Sequence, residues 1–567
     1  MEKLFNNPAV IHFFESYYKW YSMSLLVISL VVLYRLVFQT VGNKRWVPLT
    51  LLFILGFFSL LPFFLLGQLN PDETFWMANI RNLSAAFNPW ISADSTTTGT
   101  FALLPLYLLF KIFSYSYFNL RCIGFVMNFA VFLIIYRVIR HKYQASWWSW
   151  LILVAFFILF HFCNAPDFIA YNTEHIAILV YAITLYALLK TNILPLPGFA
   201  VKTGSRKYNW YIALAGVCTG MAPWIKLQAV PVFFILFLLA AWQLLRNRLF
   251  KKALYFALAS LLPTLFMLCV LAYHGSFHDF FMRYIQTNLD YADAGLMGFP
   301  TNQQQQSYWK ILFNGLQKEL LSNYVVFMAF AVVIAALVIA KRAAIKISWL
   351  VIFFLITAAS AYQIIKPGLN LFTHYFLFAV QPFIFLFFMV QLQRSAKLLV
   401  WALAGLQCAL TVFKMQNTSH YYPSLMAETV GFSNECKKTL TEIDKLVDST
   451  GANKNSIVIW GWNNRYFVHS NYTSASRDFD VYHLIVHNGE LGAYYRKCFF
   501  EDLTKSGKCI VAHDPINVFL DILKVPFDKF FADNKQYTGN LSITYLKTFN
   551  GVKLYLVESR GPVTSQK

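Results

Sequence analysis

The run VPLTLLFILGFFSLLPFFLLGQLNPDETFW, residues 47–76, joins two signals in one stretch. From Leu49 to Leu66 it is apolar and uncharged, the length that about 30 Å of hydrocarbon requires. Two adjacent carboxylates, Asp72 and Glu73, follow almost at once, so they belong at a membrane face and not in bulk water. The polar stretch then continues through MANIRNLSAAFNPWISADSTTTGT to Thr100.

Similar apolar runs recur on both sides. They predict spans at about 22–39, 48–67, 120–138, 147–163, 175–190, 209–222, 227–245, 253–272, 323–341, 347–364, 371–391 and 398–414, roughly twelve in all. The bulk composition agrees: of 567 residues, 58% are hydrophobic and only 13% charged, which no ordinary soluble domain of this size shows. The net charge of +21 does not indicate nucleic acid, because Lys and Arg cluster in short loops between apolar runs. These basic loops, around Lys44 and Arg45, at 137–142, 202–207, 246–252, 341–346 and 393–397, fall on one side of the predicted spans. The positive-inside rule makes that side cytoplasmic and puts the loop bearing Asp72 and Glu73 outside, with 166–175, 222–228, 274–310, 363–370 and the C-terminal tail.

The aromatic segment 1–21 reads as an interfacial helix that does not span, and no cleavable signal peptide follows from the first apolar run. The tail, 415–567, alternates helix-like and strand-like pieces, including SIVIWGW at 456–462, CIVAH at 509–513 and β-rich runs at 541–547 and 552–557; it predicts a small α/β domain. Phosphate-binding glycine loops, C-x-x-C pairs and H-E-x-x-H are missing from the sequence, so nucleotide hydrolysis and zinc-protease chemistry have no support. Cys498 and Cys509 are near enough in sequence to close a small disulfide loop if the tail faces an oxidising compartment.

Asp72 and Glu73 have an ordinary explanation: Asn70 suits an N-cap, Pro71 the first helical position, and acids in the first turn complement the helix dipole. Their surroundings argue for more. Arg81 follows on the same predicted helix, and other outward segments bring Lys226, His274, Lys366 and His374, with Glu174 and Tyr375, to the same side. A carboxylate near cations at a lipid surface is what general-base activation of an acceptor beside a phosphate leaving group requires.

The order of these features resembles the GT-C type of integral membrane glycosyltransferases, relatives of protein O-mannosyltransferases and of the bacterial enzymes that add aminoarabinose to lipid A. NPDETFW with Arg81 is similar to that group's acidic signature in its first large outward loop. LQAVP preceded by Lys226 resembles its short loop with a substrate-facing Lys, and PGLNLFTHYFLFAVQP its span that opens with His-Tyr. IVIWGWNNRYFVHSNYTSASRD, 457–478, resembles the strand, Trp-Gly turn and polar stretch of many bacterial members. The departures are two spans before the acidic loop where one is usual, and STTTGT at 95–100 in place of a Gly-Pro or Pro-Pro pattern. The resemblance implies a mainly α-helical polytopic GT-C membrane protein, its catalytic domain at 22–414 with an outward catalytic loop at 69–119, and a small C-terminal α/β extracytoplasmic domain. It implies residence in a bacterial inner membrane with the site on the periplasmic side. It also implies inverting transfer of one sugar from a polyprenyl-phosphate donor to a lipid, glycan or protein acceptor. Asp72 is then the base, Glu73 orients either the acceptor or Asp72, and Arg81, Lys226, Lys366 and His374 are the phosphate contacts; a divalent metal at Asp72 and Glu73 stays open, as some relatives use one. Two other classes compete: a transporter or flippase of lipid-linked glycans, which would carry mid-span charges and inverted repeats, and a glycan-binding tail on a membrane scaffold.

Overall fold

The computed structural model describes residues 8–39, 45–96, 98–163, 165–196, 198–294, 347–365, 373–389, 394–462, 464–479, 481–515 and 524–560. The predicted span 323–341 and the candidate Lys366 lie outside them. Every other predicted span falls on a helix. Among the described residues six helices are long and apolar enough to cross a membrane: His12–Phe38, Trp46–Phe64, Tyr117–Tyr143, Thr173–Lys190, Leu227–Arg246 and Phe250–His274. Shorter apolar helices are Thr100–Phe110, Trp147–His161, Trp349–Ile364 and Thr373–Met389.

The N-terminus differs from the expectation of a separate interfacial segment. One helix runs from Pro8 to Phe38 with no break near residue 21. No Gly or Pro interrupts it there, and its aromatic residues are packed: the Tyr18 ring stacks on Tyr422 at 5.5 Å and meets Phe63 edge-on at 6.0 Å.

The chain divides into two compact units. The first draws on the described residues of Met1–Leu65, Arg121–Val270 and Phe299–Ser424 and contains the predicted spans. Its helices turn large apolar side chains outward, as Leu254, Leu258, Leu261, Leu262 and Leu265 show on Phe250–His274, the pattern of a lipid-facing stripe. Helix contacts within it use small residues. Gly216 and Gly220 lie four apart on Arg206–Ile225, where a Cβ at Gly220 would overlap the Ser260 carbonyl oxygen and one at Gly216 would meet the Phe256 carbonyl oxygen at 2.6 Å. Backbones this close leave no room for a methyl group. Gly220→Ala is therefore expected to lower thermal stability by about 1–3 kcal/mol, read as a lower unfolding midpoint in detergent.

The second unit draws on Leu66–Leu120, Leu271–Gly298 and Leu425–Lys567 in their described residues, so the α/β tail is completed by two segments from earlier in the chain. Its five strands are β1 (Ser456–Trp460), β2 (Thr473–Ser474), β3 (Lys508–His513), β4 (Leu541–Phe549) and β5 (Val552–Ser559), in the order β2-β1-β3-β5-β4. β1 is parallel to β2 and β3, whereas β5 is antiparallel to β3 and β4. Both sheet faces are covered, which explains the unbroken apolar runs in β1 and β3. Ile457, Ile459, Ile510, Ala512, Leu554 and Leu556 pack with Cys436, Leu440, Ile443 and Val447 of the helix Arg394–Thr450. Val458, Trp460, Val511, Tyr555 and Val557 pack with Leu491, Tyr495, Phe499 and Leu503 of the helix Gly489–Ser506.

Candidate active site

Two clusters hold the predicted residues, one in each unit. In the first unit, the helix Arg206–Ile225 ends at Lys226, whose extended backbone (φ −165°, ψ 126°) separates it from a short 3-10 turn, Leu227–Ala229. Glu174 sits in the first turn of Thr173–Lys190, a helix that begins after Asn172, whose backbone N–H donates to His175 Nδ1 at 3.2 Å. A carboxylate is favoured at that end by the helix dipole. Lys226 Nζ donates to Glu174 Oε1 at 2.5 Å, and both side chains are nearly excluded from solvent, at 10% and 1% exposure. The ammonium also lies over the Tyr375 ring at 4.7 Å, and His374 meets Tyr375 edge-on at 4.6 Å. Both come from the 3-10 turn Thr373–Ala379. The structure thus brings together Glu174, Lys226, His374 and Tyr375, residues far apart in sequence: one cation, one carboxylate and one imidazole in an apolar setting. That combination suits a phosphate oxyanion, with Glu174 holding the ammonium in place.

In the second unit, Pro71–Ala85 is a helix in which Asn70 Oδ1 accepts from the Asp72 N–H at 2.8 Å and Pro71 occupies the first helical position. The two acids diverge. Glu73 is fully buried, and its Oε2 accepts the Leu69 N–H at 3.0 Å; Asp72 is half-buried. Consecutive helical residues do not share a face, so the pair does not converge as metal ligands; Asp72 rather than the pair is what a cation would meet. Arg81 sits nine residues on, about 14 Å along the axis. It does not join Asp72. Its guanidinium stacks over Tyr115 at 4.7 Å and reaches Asn471 Oδ1 at 3.5 Å, and burial lowers its pKa. Asn82 completes the docking of this helix on β2, donating to the Ser474 carbonyl at 3.3 Å and accepting the Ser474 N–H at 2.9 Å.

A buried ionic network that the sequence reading missed organises the rest of this unit. Arg283 lies on a π-helical turn, Phe281–Gln286, a local widening common near functional sites. Its Nη2 donates to Asp478 Oδ1 at 2.6 Å and to the Arg477 carbonyl at 3.3 Å, with Asp94 Oδ1 at 3.6 Å. All three charged side chains are fully buried. Burial alone would weaken the guanidinium's hold on its proton, but Asp478, Tyr495 and Asp94 hold it well above the ordinary value. Burial raises Asp94 to about 6, with Arg283 pulling the other way. Arg477, which ends the polar stretch after the Trp-Gly turn, makes a two-pronged bond to Asp502 at 2.9 and 2.7 Å and reaches Asp279 at 3.0 Å. A chain of side chains then anchors the loop before Thr100: Asp290 to His487 at 2.6 Å, His487 to His483 at 3.0 Å, and His483 to Thr96 at 3.1 Å. The available signal was the scatter of acids and imidazoles at Asp94, Asp290, Asp478, His483 and His487, of which only His483 and His487 pair with a near neighbour in sequence. The expected Cys498–Cys509 loop is not formed. Both are free thiols in the packed core, pushed by burial to about 11, one on the helix Gly489–Ser506 and one on β3.

No known sequence family and no curated protein matches the chain. Solved structures do. ArnT from Cupriavidus metallidurans bound to undecaprenyl phosphate superposes with a TM-score of 0.54 at 9% identity, covering 93% of this chain and 100% of that one. The same protein in the apo state gives 0.52 at 10% identity, over 91% and 98% of the two chains. The chain shares the fold of these ArnT structures, a mainly α-helical polytopic architecture that carries a small α/β domain.

Proposed function

Starting from that fold, we propose that the chain transfers one sugar, with inversion, from a polyprenyl-phosphate donor to a hydroxyl or amine of an acceptor outside the cytoplasm of a bacterial cell: an envelope glycan, a glycolipid or a protein. The observation that carries this reading is the buried Lys226 ammonium held by Glu174 under Tyr375. Glu174 already balances the ammonium and uses only part of its donor capacity, so Lys226 is a held donor that an incoming oxyanion can meet; a lipid-linked phosphate leaving group is one that arrives from the bilayer. Lys226 and His374 then stabilise the charge that grows on the phosphate, Tyr375 packs beside the ammonium, and Glu174 positions Lys226. Asp72 accepts the proton of the attacking acceptor group; Glu73, tied to the Leu69 N–H, sets the turn on which Asp72 sits. Lys366 remains a proposed contact of the donor or substrate.

Mass spectrometry of envelope glycans and glycolipids from a deletion strain tests the reading, because the mass lost names sugar and acceptor together. Unchanged glycans and glycolipids would remove it. Lys226 adds a sharper check. Lys226→Met leaves Glu174 buried without its partner and is expected to cost about 3–5 kcal/mol of stability. Adding Glu174→Gln should restore the unfolding midpoint while transfer stays at least about tenfold down, one lost charge-assisted contact. Recovery of transfer along with stability would make the pair a structural device only.

A further inference from the structure

A second set of cations gathers within the first unit, at the ends of its helices that carry the basic loops. A cavity of about 540 Å³ is lined by Arg45, Arg137, Arg140 and Lys190, with Tyr136 and Tyr186 in its wall and no carboxylate. The helices deliver these residues to one place. Tyr117–Tyr143 presents Arg137 and Arg140 three apart on one face, Thr173–Lys190 ends on Lys190, and Arg45 precedes the helix Trp46–Phe64.

The ordinary explanation is that basic residues follow spans on the cytoplasmic side and suit helix C-termini. Such side chains normally fan out into solvent. Here Arg45 and Arg137 stay exposed, yet all four line one cavity: Arg45 acts electrostatically on the half-buried Arg140, and Arg137 on the half-buried Lys190. Among the described residues none of the four pairs with a carboxylate, and Arg140 Nη1 is shielded from solvent without a hydrogen-bond partner. Lys190 Nζ donates to the Phe199 carbonyl at 3.1 Å and lies 3.7 Å from the Phe199 ring centroid, which pins it at the rim. Held like charges around an open cavity cost free energy that an anion offsets.

We propose that this cavity binds the phosphate head group of an anionic membrane lipid. Guanidinium forks match phosphate oxygens two at a time, and the three oxygens and higher charge of a phosphate let several arginines engage it at once. The volume is many times that of one phosphate and suits a head group with two. A cavity between the ends of spanning helices lets acyl chains stay in hydrocarbon while the phosphates enter, and basic pockets on the cytoplasmic side meet the anionic leaflet. The pocket is separate from the Glu174–Lys226 cluster in residues and in role, and it does not depend on the proposed transfer.

The test uses the full-length protein in detergent micelles. Native mass spectrometry and unfolding midpoints are recorded with diphosphatidylglycerol, phosphatidylglycerol, phosphatidylethanolamine, or inorganic pyrophosphate, for wild type, Arg137→Gln/Arg140→Gln and, separately, Lys190→Gln. Wild type should retain diphosphatidylglycerol and melt higher with it, with phosphatidylethanolamine giving no shift. The double variant should bind about tenfold or more weakly, the loss of charge-assisted contacts. Lys190→Gln should weaken binding in the same direction, which keeps the test decisive if the double variant folds poorly. A shift with pyrophosphate alone would keep the phosphate site but overturn its lipid source. Equal lipid retention by wild type and both variants, or no phosphate probe raising the wild-type midpoint, would overturn the site.

Discussion

Asp72→Asn is expected to lower the turnover of sugar transfer by about 10²–10⁴-fold, the usual contribution of a general base. The unfolding midpoint should barely move, because the helix start does not depend on that carboxylate: Asn70 caps the Asp72 N–H and Pro71 fills the first helical position. Asn keeps the size and the acceptor oxygen but cannot take a proton. Glu73→Gln is the matched control. Its amide oxygen can still accept the Leu69 N–H, so activity and stability should both stay near wild type. Transfer assays with a labelled polyprenyl-phosphate sugar separate the two. If Asp72→Asn kept a tenth or more of wild-type turnover, Asp72 would be a helix-start acid and the base would lie elsewhere.

Arg283→Met should be the most damaging single change in the second unit. It removes the cation between Asp478 and Asp94 and leaves two fully buried carboxylates without compensation, at a cost of about 3–5 kcal/mol. Limited proteolysis of the α/β unit and a lower unfolding midpoint would report it. The deficit should depend on pH. Asp94 already titrates near 6 in the folded protein, above its ordinary carboxylate value, chiefly through burial. An acid raised on folding contributes stability below its unfolded pKa that is lost as pH rises through the folded one. Removing Arg283 takes away an influence that lowers both Asp94 and Asp478, so the raised window extends upward. The variant should therefore lag wild type more at pH 8 than at pH 5. A lag that is the same at both pH values would show that the carboxylates do not sense the arginine.

Asp72 and Lys226 were legible because each stands in a local pattern that has a physical meaning by itself. Asp72 follows an apolar run in a cap-and-proline context, and Lys226 interrupts two apolar runs within a few residues. Glu174 was visible only as an acid at a span start; its bond to Lys226 joins positions 52 apart. Arg81 illustrates the opposite error. Sharing a helix with Asp72 suggested a shared site, but the distance along the axis, the stacking on Tyr115 and the bond to Asn471 place its guanidinium elsewhere in the unit. Proximity in sequence also misled at Cys498 and Cys509: helix and strand geometry, not the short loop between them, decides where each thiol goes.

The sequence by itself determined the polytopic α-helical architecture and the α/β character of the tail, because hydrocarbon thickness sets the length of an apolar run and a doubly covered sheet sets unbroken apolar strands. Both are constraints on short windows of chain. The tertiary structure decided which charges neutralise one another: Glu174 with Lys226, and Arg283 with Asp478 across 195 residues. Burying a charge is affordable only when its partner arrives in the same place, and that depends on how distant segments pack, including the two that complete the α/β unit.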